Sequence, residues 1–334
     1  MIIRILTFYA LVVASGVSHS VAYNLPGDSL SAGQQYVASS FSVKDWYSSG
    51  SFVGNAQREA IDDTARGFSR AHHKGYAFSS DLTYLLGVTD TLTLGMRFGY
   101  EFDKDSTKID ATIGDQVESE LVSEGGTDLT VLAKLKRHAH STWDLAVTLP
   151  ICSAESVQDV CTSRPAIPKT VDQSGEAGGQ GKGYYGIKLG MSSNWIGLND
   201  QHWVAGASIA GALADEVYGN KVSAPVTFAA QFGLYNTLMA RHHWSLMVDV
   251  RKMLEYTAYS EALQTEVDFG EQSHLGLTAQ YHWQPFNGVQ IKPFAELATR
   301  ELASEKFVSN DLERHIEYTT GTLFVLGAQL SASF

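Results

Sequence analysis

The sequence predicts an all-β fold, an antiparallel up-and-down β-barrel of about twelve strands that crosses a membrane. Three observations carry this reading. First, the last strand alternates. Phe324, Leu326, Ala328, Leu330, Ala332 and Phe334 form an apolar face, against Val325, Gly327, Gln329, Ser331 and Ser333 on the other. Period two marks a strand, and no helix follows to cover the apolar side, so lipid outside and water inside satisfies both faces. Second, the N-terminus reads as a secretory leader, residues 1–22. Arg4 is its positive end, Ile5 to Ala14 its apolar run, and Ser20-Val21-Ala22 its small-x-small cleavage site. That run is shorter than the roughly 18 apolar residues of a spanning helix, and no other stretch approaches that length. Third, the gaps between alternating segments are short and long in turn, as in barrels with tight periplasmic turns and long extracellular loops.

The expected strands of the barrel domain, residues 23–334, are 34–46, 74–86, 91–103, 127–137, 142–151, 183–193, 201–213, 224–236, 243–255, 272–283, 288–301 and 320–334. Short turns fall at 87–90, 138–141, 194–200, 237–242 and 284–288; the longer gaps are 47–73, 104–126, 152–182, 214–223, 256–271 and 302–319. An even count returns both termini to the periplasm. In the third strand Leu92, Leu94, Met96, Phe98, Tyr100 and Phe102 face out, leaving Arg97 and Glu101 inside. In the ninth Trp244, Leu246, Val248 and Val250 face out, and Asp249 and Arg251 in. The eleventh sets Val289, Ile291, Ala295 and Leu297 against Gln290, Lys292, Glu296 and Arg300. A charge on the lipid face near the midplane costs about 2–4 kcal/mol, so a face clear of charge fixes the register. Trp143, Trp195, Trp203, Trp244 and Trp283 all fall at the periplasmic ends, the pattern of an interfacial aromatic girdle; Trp46 lies at the other end.

Composition agrees with alternate residues meeting lipid: 44% hydrophobic, mean hydropathy -0.09, with 30 glycines and 7 prolines for turns. A net charge of -12 disfavours nucleic acid as a partner. Cys152 and Cys161 sit close together in a polar tract. In an oxidising compartment they are expected to form one disulfide in the extracellular loop, worth about 2–3 kcal/mol for so short a loop in the chain-entropy model. Mass spectrometry of exported protein is expected to find the bridge; two free thiols would refute it.

Chemistry-bearing motifs are few. Gly27-Asp28-Ser29-Leu30 spells a lipase nucleophile block, but it follows the leader directly, with Pro26 before it and no strand to present it. His138 and His140 are spaced to share a metal on a strand, yet no carboxylate or thiol completes a set, and they read as solvated turn residues. The outward strand positions carry no Ser-His pair of the kind a lipid hydrolase at the rim requires. The reading is therefore a protein without enzymatic activity, metal or cofactor. Its candidate site is the lumen, lined by Asp81, Arg97, Glu101, Lys134, Lys136, Asp144, Lys188, Asp249, Arg251, Lys292, Glu296 and Arg300. Both signs are present, so the charges either pair to fill a narrow interior or line a path.

At Tyr84-Leu-Leu-Gly-Val-Thr-Asp-Thr-Leu-Thr-Leu-Gly95 the chain resembles the phenol-degradation meta-pathway family of outer-membrane transporters, with Val88 where that family commonly has Leu. The resemblance implies a barrel in the bacterial outer membrane that takes up small, aromatic or otherwise apolar compounds. The expected partners are outer-membrane lipid, a small solute, and the barrel-assembly machinery through the strand ending at Phe334. The rival expectation is a plugged surface barrel with a structural or adhesive role; an outer-membrane lipid hydrolase stands third.

Overall fold

The computed structural model describes residues 27–52, 68–111, 117–151, 185–197, 201–212, 216–217, 220–223, 225–260, 265–300, 305–309, 312–318 and 321–334. The expected leader, residues 1–22, and both cysteines of the expected disulfide lie outside the described residues. No described helix is long and apolar enough to cross a membrane; the chain crosses with strands.

Twelve spanning strands form one closed antiparallel sheet. They are β1 (Gln35–Phe52), β2 (Phe68–Gly87), β3 (Leu92–Ala111), β4 (Val117–Gly126 continuing as Leu129–His138), β5 (Ser141–Leu149), β6 (Gly186–Ile196) and β7 (His202–Ala212). There follow β8 (Val226–Met239), β9 (His242–Met253, then Tyr256–Ser260), β10 (Thr265–Phe269, then Gln272–Phe286), β11 (Val289–Arg300, then Glu305–Ser309) and β12 (Leu312–Tyr318, then Gly321–Ser333). Each pairs with its neighbours, and β12 closes on β1 from Tyr36↔Ser333 to Tyr47↔Thr322. At the seam Gln35 N–H donates to Phe334 O (2.8 Å) and Phe334 N–H to Gln35 O (3.0 Å), which removes the sheet edge.

Four of the five periplasmic turns are tighter than the sequence suggests. Thr237 and Met239 still pair with His243 and His242, leaving two residues between β8 and β9. Asn287-Gly288 links β10 to β11, with Gly288 at φ 78°, a conformation glycine adopts without strain. The long gaps are overturned as continuous loops. Val117–Gly126, Thr265–Phe269, Glu305–Ser309 and Leu312–Tyr318 all lie within them and extend the sheet beyond the membrane. Leu312–Tyr318 pairs with Glu305–Ser309 from Glu305↔Ile316 to Ser309↔Leu312, a stretch too short and too charged to be read as a membrane strand.

Large apolar side chains stand exposed on the outer face of the barrel, among them Met96, Val131, Leu189, Phe232, Leu277 and Leu326. A soluble protein would bury such a belt; a lipid-facing one leaves it outside. Asp45, Lys74 and Lys252 face outward toward the extracellular ends, and the Arg137 guanidinium lies 5.8 Å from the Trp143 ring centroid at the periplasmic end. The barrel is that of a bacterial outer-membrane protein.

Candidate functional site

Register places the lumen. Antiparallel partners share a face, and the exposed apolar partners Val43↔Phe78 and Met96↔Val131 fix the outside. Asp81, Arg97, Glu101, Lys134, Lys136, Asp144, Lys188, Asp249, Arg251, Lys292 and Glu296 then fall on the inward face, and the Arg300 backbone takes an inward register position opposite His274. Trp143, Trp195, Trp203, Trp244 and Trp283 take outward positions, Trp195 opposite Trp203, whereas Trp46 is buried inside.

Several inward charges are paired between strands. Lys44 reaches Glu101 at 2.8 Å, and Lys134 lies 3.7 Å from Asp144. Both Asp144 oxygens also accept hydrogen bonds, from Thr142 Oγ1 (3.1 Å) and Ser192 Oγ (2.7 Å). Arg251 Nε sits 3.0 Å from Asp249 Oδ2; His274 Nε2 lies 3.3 Å from the same oxygen and 3.4 Å from Glu296 Oε1. This group converges over Gly276, where a Cβ would stand 2.5 Å from Asp249 Oδ1 and 3.1 Å from Glu296 Oε1. Asp249, His274 and Glu296 could ligate a cation, their donor atoms lying within 4.8 Å of one another. The Arg251 guanidinium already supplies counter-charge there, and the group reads as an interior charge network.

The lumen differs along its axis. Toward the extracellular side Arg97, Lys188 and Arg251 face inward yet remain exposed, which requires water inside the barrel. A cavity of about 280 Å³, lined by Arg251 at its upper end, is walled by β7 to β11, with Gln231, Met247, Thr278 and Gln280 around its middle and Tyr235 and His282 toward the periplasmic side.

The periplasmic end is occupied by residues 27–34, which the sequence left unassigned. Leu30 is 2% exposed and packs with Tyr36, Ala38 and Leu85, with Leu132 against the cluster. Its N–H donates to Thr93 Oγ1 (3.0 Å); Ala32 N–H donates to Asp90 Oδ1 (3.1 Å) and Gly33 N–H to Gly87 O (2.7 Å). Across the mouth Asn194 Nδ2 donates to Asp28 Oδ1 (2.9 Å), and the Asp28 charge reaches Tyr235 on β8 and Lys292 on β11. The segment therefore spans the mouth as a stopper. Lys292, expected to line the lumen, is instead 7% exposed at the closed end, near buried His282 and Gln290. Ser29 belongs to this stopper, so the lipase-like tetrapeptide is a structural segment. Its signal in the sequence was only the short apolar Leu30 isolated between leader and first strand.

No family model matches the chain, and no curated protein matches it. Among solved structures it is similar to the COG4313 outer membrane channel from Pseudomonas putida F1, at 14% identity and TM-score 0.49 over 92% of this chain and 98% of that one. It is also similar to a TodX monoaromatic hydrocarbon channel mutant (10% identity, TM-score 0.40, 91% of each chain) and to a Pseudomonas aeruginosa FadL homologue (10%, 0.40, 93% of this chain and 94% of that one). The barrel reading rests on this chain's own strand pairing.

Proposed function

We propose that the chain is an outer-membrane channel for small solutes, aromatic or otherwise apolar compounds among them, whose lumen is closed at the periplasmic mouth by its own N-terminal segment. The observation that supports this reading is the wet upper lumen. A structural barrel with a filled interior would bury its inward charges and pair them, since an unpaired buried charge is costly. Here Arg97, Lys188 and Arg251 point inward and are exposed, beside a cavity of about 280 Å³. The solute class is supported by the resemblance carried by Tyr84 to Gly95. Among the described residues the stopper is one short segment at one mouth, 27–34.

Refolded, heat-modifiable protein in planar bilayers is expected to give discrete conductance steps, and liposomes carrying it to admit small solutes such as phenol faster than protein-free liposomes. Arg251→Gln is expected to shift ion selectivity, because it removes one positive charge from the wall beside Asp249, His274 and Glu296. A folded parent without conductance or uptake, also after removal of residues 27–33, would overturn the channel reading in favour of a plugged surface barrel.

A further inference from the structure

Two of the inward cations stand apart from the charge network. Arg97 on β3 and Lys188 on β6 are exposed to the lumen, and neither makes an ion pair or hydrogen bond with a described residue. Asp144, the carboxylate whose charge reaches Lys188, has both oxygens engaged by Thr142, Ser192 and Lys134. Asp81 leans over Gly99, beside Arg97, without pairing to it. The charges of Arg97 and Arg251 are both felt at Lys188, so like charges are held within reach of one another.

The two cations share a local pattern. Gly95-Met96-Arg97-Phe98-Gly99 and Gly186-Ile187-Lys188-Leu189-Gly190 each set an inward cation between inward glycines, with apolar residues facing lipid. Neither cation has a side chain next to it on its own strand to lie against.

Their placement follows from the ladder. One register row runs Arg97↔Thr130, Thr130↔Thr148, Thr148↔Gly186, and Lys188 is the next inward residue below Gly186. With strands tilted about 35–45° the row climbs toward the extracellular side as it crosses to β6, and the step down to Lys188 offsets much of the climb. The wall between the cations holds Thr130, Leu132, Ala146 and Thr148, short and uncharged, with the two threonine hydroxyls 3.5 Å apart.

We propose that Arg97 and Lys188 form a binding station for a small organic carboxylate on its way through the barrel. The proposal names a substrate class for the channel and rests on that reading. The guanidinium fork takes the two carboxylate oxygens, the ammonium adds a point charge, and the half-buried Thr148 hydroxyl donates to a remaining lone pair, backed by buried Thr130. Leu132 and Ala146 offer apolar contact to the body of the acid. Phosphate shares the negative charge but gains nothing from that apolar wall.

The probe is sodium benzoate, with acetate and inorganic phosphate beside it. Calorimetry on full-length protein refolded in detergent is expected to show benzoate binding at millimolar concentration or tighter, above acetate and phosphate. Arg97→Gln and Lys188→Gln are each expected to weaken it about tenfold, as loss of a charge-assisted hydrogen bond does. Lys252→Gln, an outward charge, is expected to leave it unchanged, and Arg97→Lys to restore part of it. In bilayers benzoate is expected to reduce the parent current. No benzoate binding, binding by both Gln variants as tight as the parent's, or phosphate bound as tightly as benzoate would overturn the station, while conductance in the same preparation would leave the channel standing. Binding without any conductance would keep the station and remove the channel.

Discussion

Replacing Leu326 with arginine, or removing Phe334, is expected to leave the chain unassembled. Leu326 is 51% exposed on the outer face near the middle of β12, opposite Val43 and Ala295. An arginine there faces lipid near the midplane and costs about 2–4 kcal/mol, a large share of the stability of a single domain. Phe334 acts at the seam. Its amide and carbonyl make the last pair of backbone bonds with Gln35, which closes the sheet at the periplasmic rim. Opening that pair leaves the Gln35 N–H and C=O without their strand partner and frees the first rung of the closing ladder. The measurement is heat-modifiable migration of membrane-extracted protein, with periplasmic accumulation as the complement. Leu323→Arg controls for charge alone. Leu323 faces inward in the same strand, opposite Trp46 and Ala298, and arginine there can reach lumen water. Normal assembly of Leu326→Arg together with failure of Leu323→Arg would invert the register.

Why the barrel could be read from sequence, and its extracellular part could not, has one physical cause. Inside the bilayer the two faces of a strand meet different solvents, so Leu92 to Phe102 alternates and the alternation gives both strand and register. Above the bilayer a strand has no lipid to face. Val117-Glu-Ser-Glu-Leu-Val-Ser-Glu124 pairs with β3 with no lipid-facing row to reveal it. Four of the five periplasmic turns were set too wide for a related reason, since Thr237 and Met239 look like turn residues although the hydrogen-bond ladder continues through them.

The site was legible by residue and opaque by arrangement. Alternation alone puts Arg97, Lys188, Asp249 and Arg251 in the lumen. Which of them pair depends on strand tilt and stagger, which bring Lys44 of β1 to Glu101 of β3 and draw Asp249, His274 and Glu296 together over Gly276. The repeated Gly-x-cation-x-Gly pattern was present in the sequence and is the one local signal that separates Arg97 and Lys188 from the other charges. The stopper left no such signal, because a non-periodic segment that packs on partners such as Thr93 and Asn194 has its information in those partners.

Leu30→Asp is expected to raise single-channel conductance several-fold and shorten the closed intervals. Leu30 is the apolar anchor of the stopper, seated among Tyr36, Ala38, Leu85 and Leu132, and residues 28–32 add hydrogen bonds that water can replace. Truncating a buried leucine costs about 2–5 kcal/mol, and a carboxylate in that apolar seat costs more. The barrel does not depend on this seat, because β1 begins at Gln35 and its ladder to β2 and β12 runs independently of residues 27–33. The loss therefore falls on the closed position of the segment. A shift of about 3 kcal/mol changes the ratio of closed to open on the order of a hundredfold. Asp28→Asn is expected to act in the same direction and more weakly, since it removes the charge facing Lys292 but keeps an acceptor for Asn194. A chemical readout separates displacement from a change in conductance alone. With Cys152 and Cys161 replaced by serine, a thiol at Ala38→Cys, beneath the Leu30 anchor, is expected to resist a water-soluble maleimide in the folded barrel and to react once Leu30→Asp is added. A thiol that labels freely with Leu30 in place, or a Leu30→Asp channel indistinguishable from its parent, would show that the mouth is not closed by this segment.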